Sequence, residues 1–196
     1  MITPATYRWI RTRLAELGFG EDYMWSEHLE PPPTAVAMCC EYVWVVLNSG
    51  MKNTVAQKIM DRVWPRLING EAISEVFKHK GKVAAIEHVW KHRVDYFACF
   101  KAATDVVGWC ASLPWIGDIT KYHLAKNLGA NVAKPDRWLV RLADAEKTTV
   151  DQLCRRLAIA TGDRVATVDV VLWRACAVGV LVIDGGMISV ASSGTK

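Results

Sequence analysis

The stretch from Leu113 to Asp136 constrains this chain more than any other, because it holds a helix stop between two helix starts. Pro114 and Gly117 punctuate a tight turn, and Thr120 to Leu128 then reads as a short helix. Gly129 ends it, since glycine accepts positive φ without a Cβ penalty. Pro135 holds Lys134 extended, and Asp136 heads the next helical run, Arg137 to Ala145. Amides able to face a phosphate thus lie close in sequence to one fixed carboxylate. That combination suits a protein that holds a nucleic-acid backbone and does chemistry beside it.

The rest of the chain reads as helices separated by glycine and proline. Tyr7, Ile10, Leu14 and Leu17 recur at helical spacing and stop at Gly18. Residues 19–30 form an acidic, aromatic loop closed by Pro31-Pro32-Pro33. An apolar run from Thr34 to Leu47 breaks at Asn48-Ser49-Gly50. Lys52 to Trp64 is amphipathic, and Pro65 is expected to end it. Short helices are predicted around 71–79 and 82–91, then a longer one from 92 to about 110. Thr149 with Gln152 has the form of a capping box opening a helix that Gly162 ends. A last apolar helix spans about 167–182, although the β-branched residues from Val165 to Val171 also suit a strand. From Gly185 onward the tail is rich in Gly and Ser and expected to be loose. The fold class is therefore all-α. Four regions follow: an N-terminal helix and loop (1–33) packing on the second lobe, a central helical lobe (34–125), the remaining helices with Asp136 (126–184), and the tail (185–196).

A chain of 196 residues that is 52% hydrophobic and 22% charged is a folded protein with a sizeable core. The net charge of +4 favours a polyanionic partner only weakly, but the charge is clustered. Lys78, Lys80, Lys82, Lys91 and Arg93 form one group, which a solvated surface explains equally well. Lys121, Lys126, Lys134, Arg137 and Arg141 form another, placed for phosphate contacts around the motif. Six cysteines without a CxxC pair read as buried thiols, and the N-terminus is not a signal peptide. The apolar run to Leu47 contains Glu41 and falls short of the ~20 residues that span a bilayer. A cytoplasmic, nucleoid-associated monomer without membrane contact is expected.

Leu113-Pro114-x-Ile116-Gly117-x-x-Thr120, with Asp136 at the next helix start, resembles the helix-hairpin-helix DNA glycosylases. Their pattern is Leu-Pro-Gly-φ-Gly-x-x-Thr-Ala (φ aliphatic), then an aspartate about twenty residues beyond the second glycine. Here the spacing from Gly117 to Asp136 is nineteen. Leu47-Asn48-Ser49-Gly50-Met51 is a weaker echo of the family's DNA-inserting loop, so the resemblance covers about 34–180. It implies a two-lobed helical fold with the active-site cleft between lobes. Hairpin amides would bind one phosphate of a duplex, the target nucleotide would flip into the cleft, and Asp136 would support cleavage of the N-glycosidic bond in base excision repair. On this resemblance the DNA contacts are Pro114, Trp115, Ile116, Gly117, Ile119, Thr120, Lys121, Met51, Lys134 and Arg137. Asp136 is catalytic, while the plainer reading of Asp136 is a helix cap.

The departures refine the expectation. Lyase-competent members carry a lysine two residues after the second glycine, where this chain has Ile119; Lys121 lies about 200° further round a helix. A monofunctional glycosylase that leaves an abasic site is thus implied. Only Cys154 and Cys176 follow Asp136, so no iron–sulfur cluster is expected. No cofactor is expected either, with room left for a monovalent cation at the hairpin. Trp115 replaces the hairpin's first glycine, so either the turn avoids positive φ or the ring packs on DNA. Tyr23, Trp25, Glu27, Trp109 and Trp138 are candidates for a base pocket, although most of the nine tryptophans read as core. Met51 is a candidate for the wedge that fills the vacated stack, with helix-end packing explaining it equally well. His88 and His92 share a helical spacing but lack further ligands for a metal. His123 reads as a surface residue that could also meet phosphate. Three rival functions remain: an enzyme hypermodifying a base on the same scaffold, a DNA-binding module that keeps only the hairpin, and a helical protein–protein adaptor, which would show no salt-dependent affinity for DNA.

Overall fold

The computed structural model describes residues 1–191 and is mostly helical. It divides into two units, each described by itself: residues 1–29 with 130 onward, and residues 30–129.

The first unit holds α1 (Pro4–Glu16), α2 (Glu21–Glu27), α9 (Arg137–Ala145), α10 (Val150–Thr161), α11 (Val165–Ala177) and a two-stranded antiparallel sheet, β1 (Leu181–Asp184) with β2 (Met187–Val190). Local signals explain the helix starts. Thr3 accepts a hydrogen bond from the Thr6 amide (3.0 Å) ahead of Pro4, and Thr149 and Gln152 complete the capping box. α11 is apolar on nearly every side, with Asp169 and Arg174 its two charges, a pattern that a helix tolerates only when surrounded. It packs against α1, α2, α9, α10 and β1. Tyr7, Ile10 and Leu14 meet Leu139, Leu142, Leu153, Leu157, Val168 and Leu172 in this core.

The second unit holds α3 (Ala35–Asn48), α4 (Asn53–Asn69), a 3₁₀ turn (Ile73–Glu75), α5 (Lys80–Lys91), α6 (Arg93–Ala102), α7 (Val106–Ala111) and α8 (Thr120–Asn127). Here α3 is the central element, capped by Thr34 and packed against α4, α5, α6 and α8. Tyr42, Val43, Val46 and Leu47 are buried on it.

Four expectations are corrected. Residues 21–27 are helical, not loop, because α2 packs on α11, a contact that no local periodicity announces. α4 runs through Pro65 to Gly70 in the left-handed region (φ +74). An internal proline costs about 3 kcal/mol, and burial of Leu67 beyond it holds the last turn in place. The helix expected over 92–110 is interrupted at Ala103, which is extended, and restarts where Asp105 accepts from the Gly108 amide at 2.9 Å. Finally, α11 stops at Ala177 before Gly179, and Gly185-Gly186, both at positive φ, turn β1 into β2. Such a pair matches the two-residue turn that twisted hairpins favour. The regular structure of the described residues is thus helical apart from one small hairpin, whose strand β2 occupies the start of the tail expected to be loose; the tail from residue 192 onward lies outside the described residues.

Candidate nucleic-acid interface and carboxylate

In the second unit three segments converge on the N-terminus of α5. The first is the turn between α7 and α8. Pro114 accepts a hydrogen bond at its carbonyl from the Tyr42 hydroxyl (2.7 Å), which ties the turn to α3. Trp115 takes the left-handed conformation (φ +62), so the turn does not avoid positive φ as one of the two expectations had it. That backbone is strained for an aromatic residue, and its ring is correspondingly anchored. A Cβ on Gly81 would lie 2.4 Å from Trp115 Cζ3, so the indole rests on bare backbone at the first turn of α5. The ring also meets His79 edge-on at 5.1 Å. Trp115 therefore packs on protein while staying 46% exposed.

Beyond it, Ile116 is buried, and the Gly117 amide donates to Thr120 Oγ1 at 2.7 Å. The amides of Asp118 and Ile119 have no hydrogen-bond partner among the described residues. They precede α8, where the helix dipole favours an anion. Ile119 is exposed, and Lys121 Nζ lies 3.2 Å from Asp118 Oδ1.

The second segment is the α3–α4 connection, Ser49-Gly50-Met51, with Gly50 at φ +75 and the half-buried Met51 donating its amide to Asn48 O (3.3 Å). The third is Lys78 to Lys82, where His79 Nδ1 caps α5 by accepting from the Lys82 amide (3.4 Å). Lys82 turns inward, and its ammonium donates to Leu47 O (3.2 Å) and Ser49 O (2.6 Å). Gly81 and Lys82 thus join the turn before α8 and the Met51 loop to one helix end. In the sequence alone these lysines belong to a charge cluster that a solvated surface explains as well as a polyanionic partner does. Trp109 lies elsewhere in this unit, half-buried against Phe100 at 5.3 Å.

In the first unit Asp136 is the N-cap of α9. Its Oδ1 accepts from the amides of Trp138 (2.9 Å) and Leu139 (3.2 Å), while Oδ2 lies 3.6 Å from Lys134 Nζ. The side chain is 13% exposed. The extended run leading to it is pinned to α11: the Lys134 amide donates to Asp169 Oδ1 (3.2 Å), and Asn131 Oδ1 accepts from the Ala166 amide (3.1 Å). Asp169 is the one acid of α11 and is buried. Burial, with the negative charge of Asp136 adding to it, pushes the Cys176 thiol up to about 12.

Arg137 and Arg141 both set their guanidinium groups over the Trp138 ring, at 5.2 and 5.7 Å. Tyr23 is a buried core residue whose hydroxyl donates weakly to Arg11 O (3.4 Å), and Trp25 is exposed on α2. Glu27 pairs with Arg11, which also holds Asp163 (2.5 Å); Asp163 in turn accepts from the Tyr7 hydroxyl (2.7 Å). Glu27 is thereby engaged in a structural network within the unit.

No family model, curated protein or solved structure matches this chain. The residues themselves therefore carry the functional reading.

His88 and His92, with ring centroids 4.9 Å apart, line a cleft of about 270 Å³ with Asp95, Tyr96 and Cys99. No group of three or more His, Cys, Asp or Glu among the described residues is arranged to hold a metal. Among those residues no helix is long and apolar enough to cross a membrane.

Proposed function

We propose that the chain is a monofunctional helix-hairpin-helix DNA glycosylase that acts as a monomer on duplex DNA, everts a damaged or modified base and hydrolyses its N-glycosidic bond. One observation carries this reading: the turn before α8 presents two unpartnered amides, Asp118 and Ile119, and is braced by Trp115 against the same helix end that holds the Met51 loop. A phosphate suits those amides, and Met51 suits the gap left in the stack. Asp136 then supplies the negative charge. As the C1′–N bond breaks, the bonding pair leaves with the base and positive charge grows on the sugar. Water adds its oxygen to C1′ and its proton goes to the departing base. Oδ2 is the atom assigned to this work, since Oδ1 is engaged by the cap.

A second reading rests on that same cap. Asp136 satisfies two helix amides and lies beside Lys134, as a purely structural aspartate would. On that account the protein is a DNA-binding module without chemistry. A panel of duplexes carrying alkylated, deaminated, oxidised and hypermodified bases separates the readings. The glycosylase leaves alkali-labile abasic sites on at least one substrate. Salt-sensitive binding without release from any of them supports the module, and a base altered without an abasic site supports a hypermodifying enzyme.

A further inference from the structure

We propose that Lys82 is the positioning residue that fixes the Ser49–Met51 loop in the shape from which Met51 enters a duplex; this rests on the glycosylase reading above. Lys82 stands in the first turn of α5, where the helix's own dipole opposes a cation. It is only 4% exposed, so it is poorly placed to meet a phosphate itself. Its placement makes sense from the other side. The last carbonyls of α3 lack intrahelical partners and sit at the negative end of that helix. Lys82 Nζ donates to two carbonyls there, Leu47 O and Ser49 O, one on the last turn and one on the residue that leaves it. A single ammonium thus sets the direction in which the chain departs from α3.

Gly50 follows at φ +75 with open space around its missing Cβ. Backbone shape, not crowding, requires the glycine. Met51 comes next, so two devices, an inward lysine and a left-handed glycine, define the approach of one unbranched apolar side chain. Burial without a carboxylate partner lowers the Lys82 pKa, a cost the fold bears to keep this contact.

The test uses the full chain with duplex DNA containing 2-aminopurine. Fluorescence gain reports eversion, and anisotropy reports binding. Lys82→Met, close in length and apolar, should cut the eversion signal about tenfold, the scale of one lost charge-assisted hydrogen bond. Met51→Ala should do the same, with binding by either variant nearly unchanged. Lys82→Arg keeps a donor and should recover most of the signal. A merely packing role gives the opposite order, with Met tolerated and Arg worse, and that order overturns the proposal. Should Lys82→Met fail to fold by circular dichroism, Lys82→Gln is read by the same criteria. Gly50→Ala, which leaves Lys82 in place, must also lower eversion; an undiminished signal there overturns the role of loop shape. Wild-type protein that binds no duplex overturns the glycosylase reading itself. Wild-type protein that binds and everts, with Lys82→Met unchanged, overturns only the role of Lys82. Binding without eversion overturns it as well.

Discussion

Replacing Asp136 by asparagine and by alanine separates two jobs that one side chain holds. Asparagine ranks with aspartate as an N-cap, so the bonds from the Trp138 and Leu139 amides to Oδ1 survive. What is lost is the charge. Its interaction with the α9 dipole is worth about 0.3–1 kcal/mol. The Lys134 contact at 3.6 Å, with a partly exposed lysine, adds at most a few tenths after screening. Asp136→Asn should therefore cost about 1 kcal/mol, a fall in Tm of about 2–4 °C for a chain of this size. Asp136→Ala loses the cap as well, about 1 kcal/mol more, and should melt lower still. Calorimetry of both variants is paired with a base-release assay. Asparagine should hold the fold and duplex affinity while release drops about a hundredfold or more, the usual scale for removing one transition-state electrostatic partner. Release by Asp136→Asn at the wild-type rate would leave Asp136 a cap and nothing else. Equal melting of the two variants would refute the capping argument.

Three further outcomes follow from packing and burial. Gly129→Ala should destabilise by about 3 kcal/mol or more in urea unfolding, because a left-handed residue (φ +93) would gain a Cβ 2.8 Å from Pro31 N and 2.9 Å from Glu30 C; a midpoint near wild type contradicts this. Glu41 is pushed above the usual carboxylate range by burial, which the hydrogen bond from Asn127 Nδ2 (2.9 Å) partly opposes, and Asn127 Oδ1 is buried without a hydrogen-bond partner among the described residues. Glu41→Gln removes the buried charge and offers a donor, so stability at pH 7 should rise by about 1 kcal/mol; a lower urea midpoint would show that the charge is needed. Burial pushes the thiols of Cys39, Cys110 and Cys176 up to about 12 from an ordinary 9.0. In the folded chain they stay protonated where the unfolded chain would ionise, so their contribution is complete below about pH 9 and is lost as pH climbs toward 12. Urea midpoints should fall between pH 8 and pH 10, and a rising midpoint would refute the sign.

The elements that sequence reading located are those with local punctuation: Thr3-Pro4, Thr34 and Thr149 at helix starts, Gly18, Gly129 and Gly162 at their ends. Those it missed depend on partners distant in the chain. α2 owes its existence to α11, and the turn of α4 past Pro65 to a buried Leu67. The Gly185-Gly186 turn, expected to begin a loose tail, is instead a hairpin turn because Leu181–Asp184 pairs with Met187–Val190. In the site, Asp136 at its helix start and the turn before Thr120 were legible because caps and turns are local. Lys82, Gly81 and Asp169 were not, because a buried lysine, a bare backbone under an indole and a lone core acid acquire meaning only from what lies against them.

The central claim is that the turn before α8 grips a DNA backbone so that a base can be released. Its most direct test is the wild-type protein on duplexes bearing modified bases, with abasic sites scored by alkali cleavage and affinity followed across salt. The account predicts abasic sites on at least one substrate and affinity that falls steeply as salt rises. No affinity for DNA at any salt concentration would contradict it.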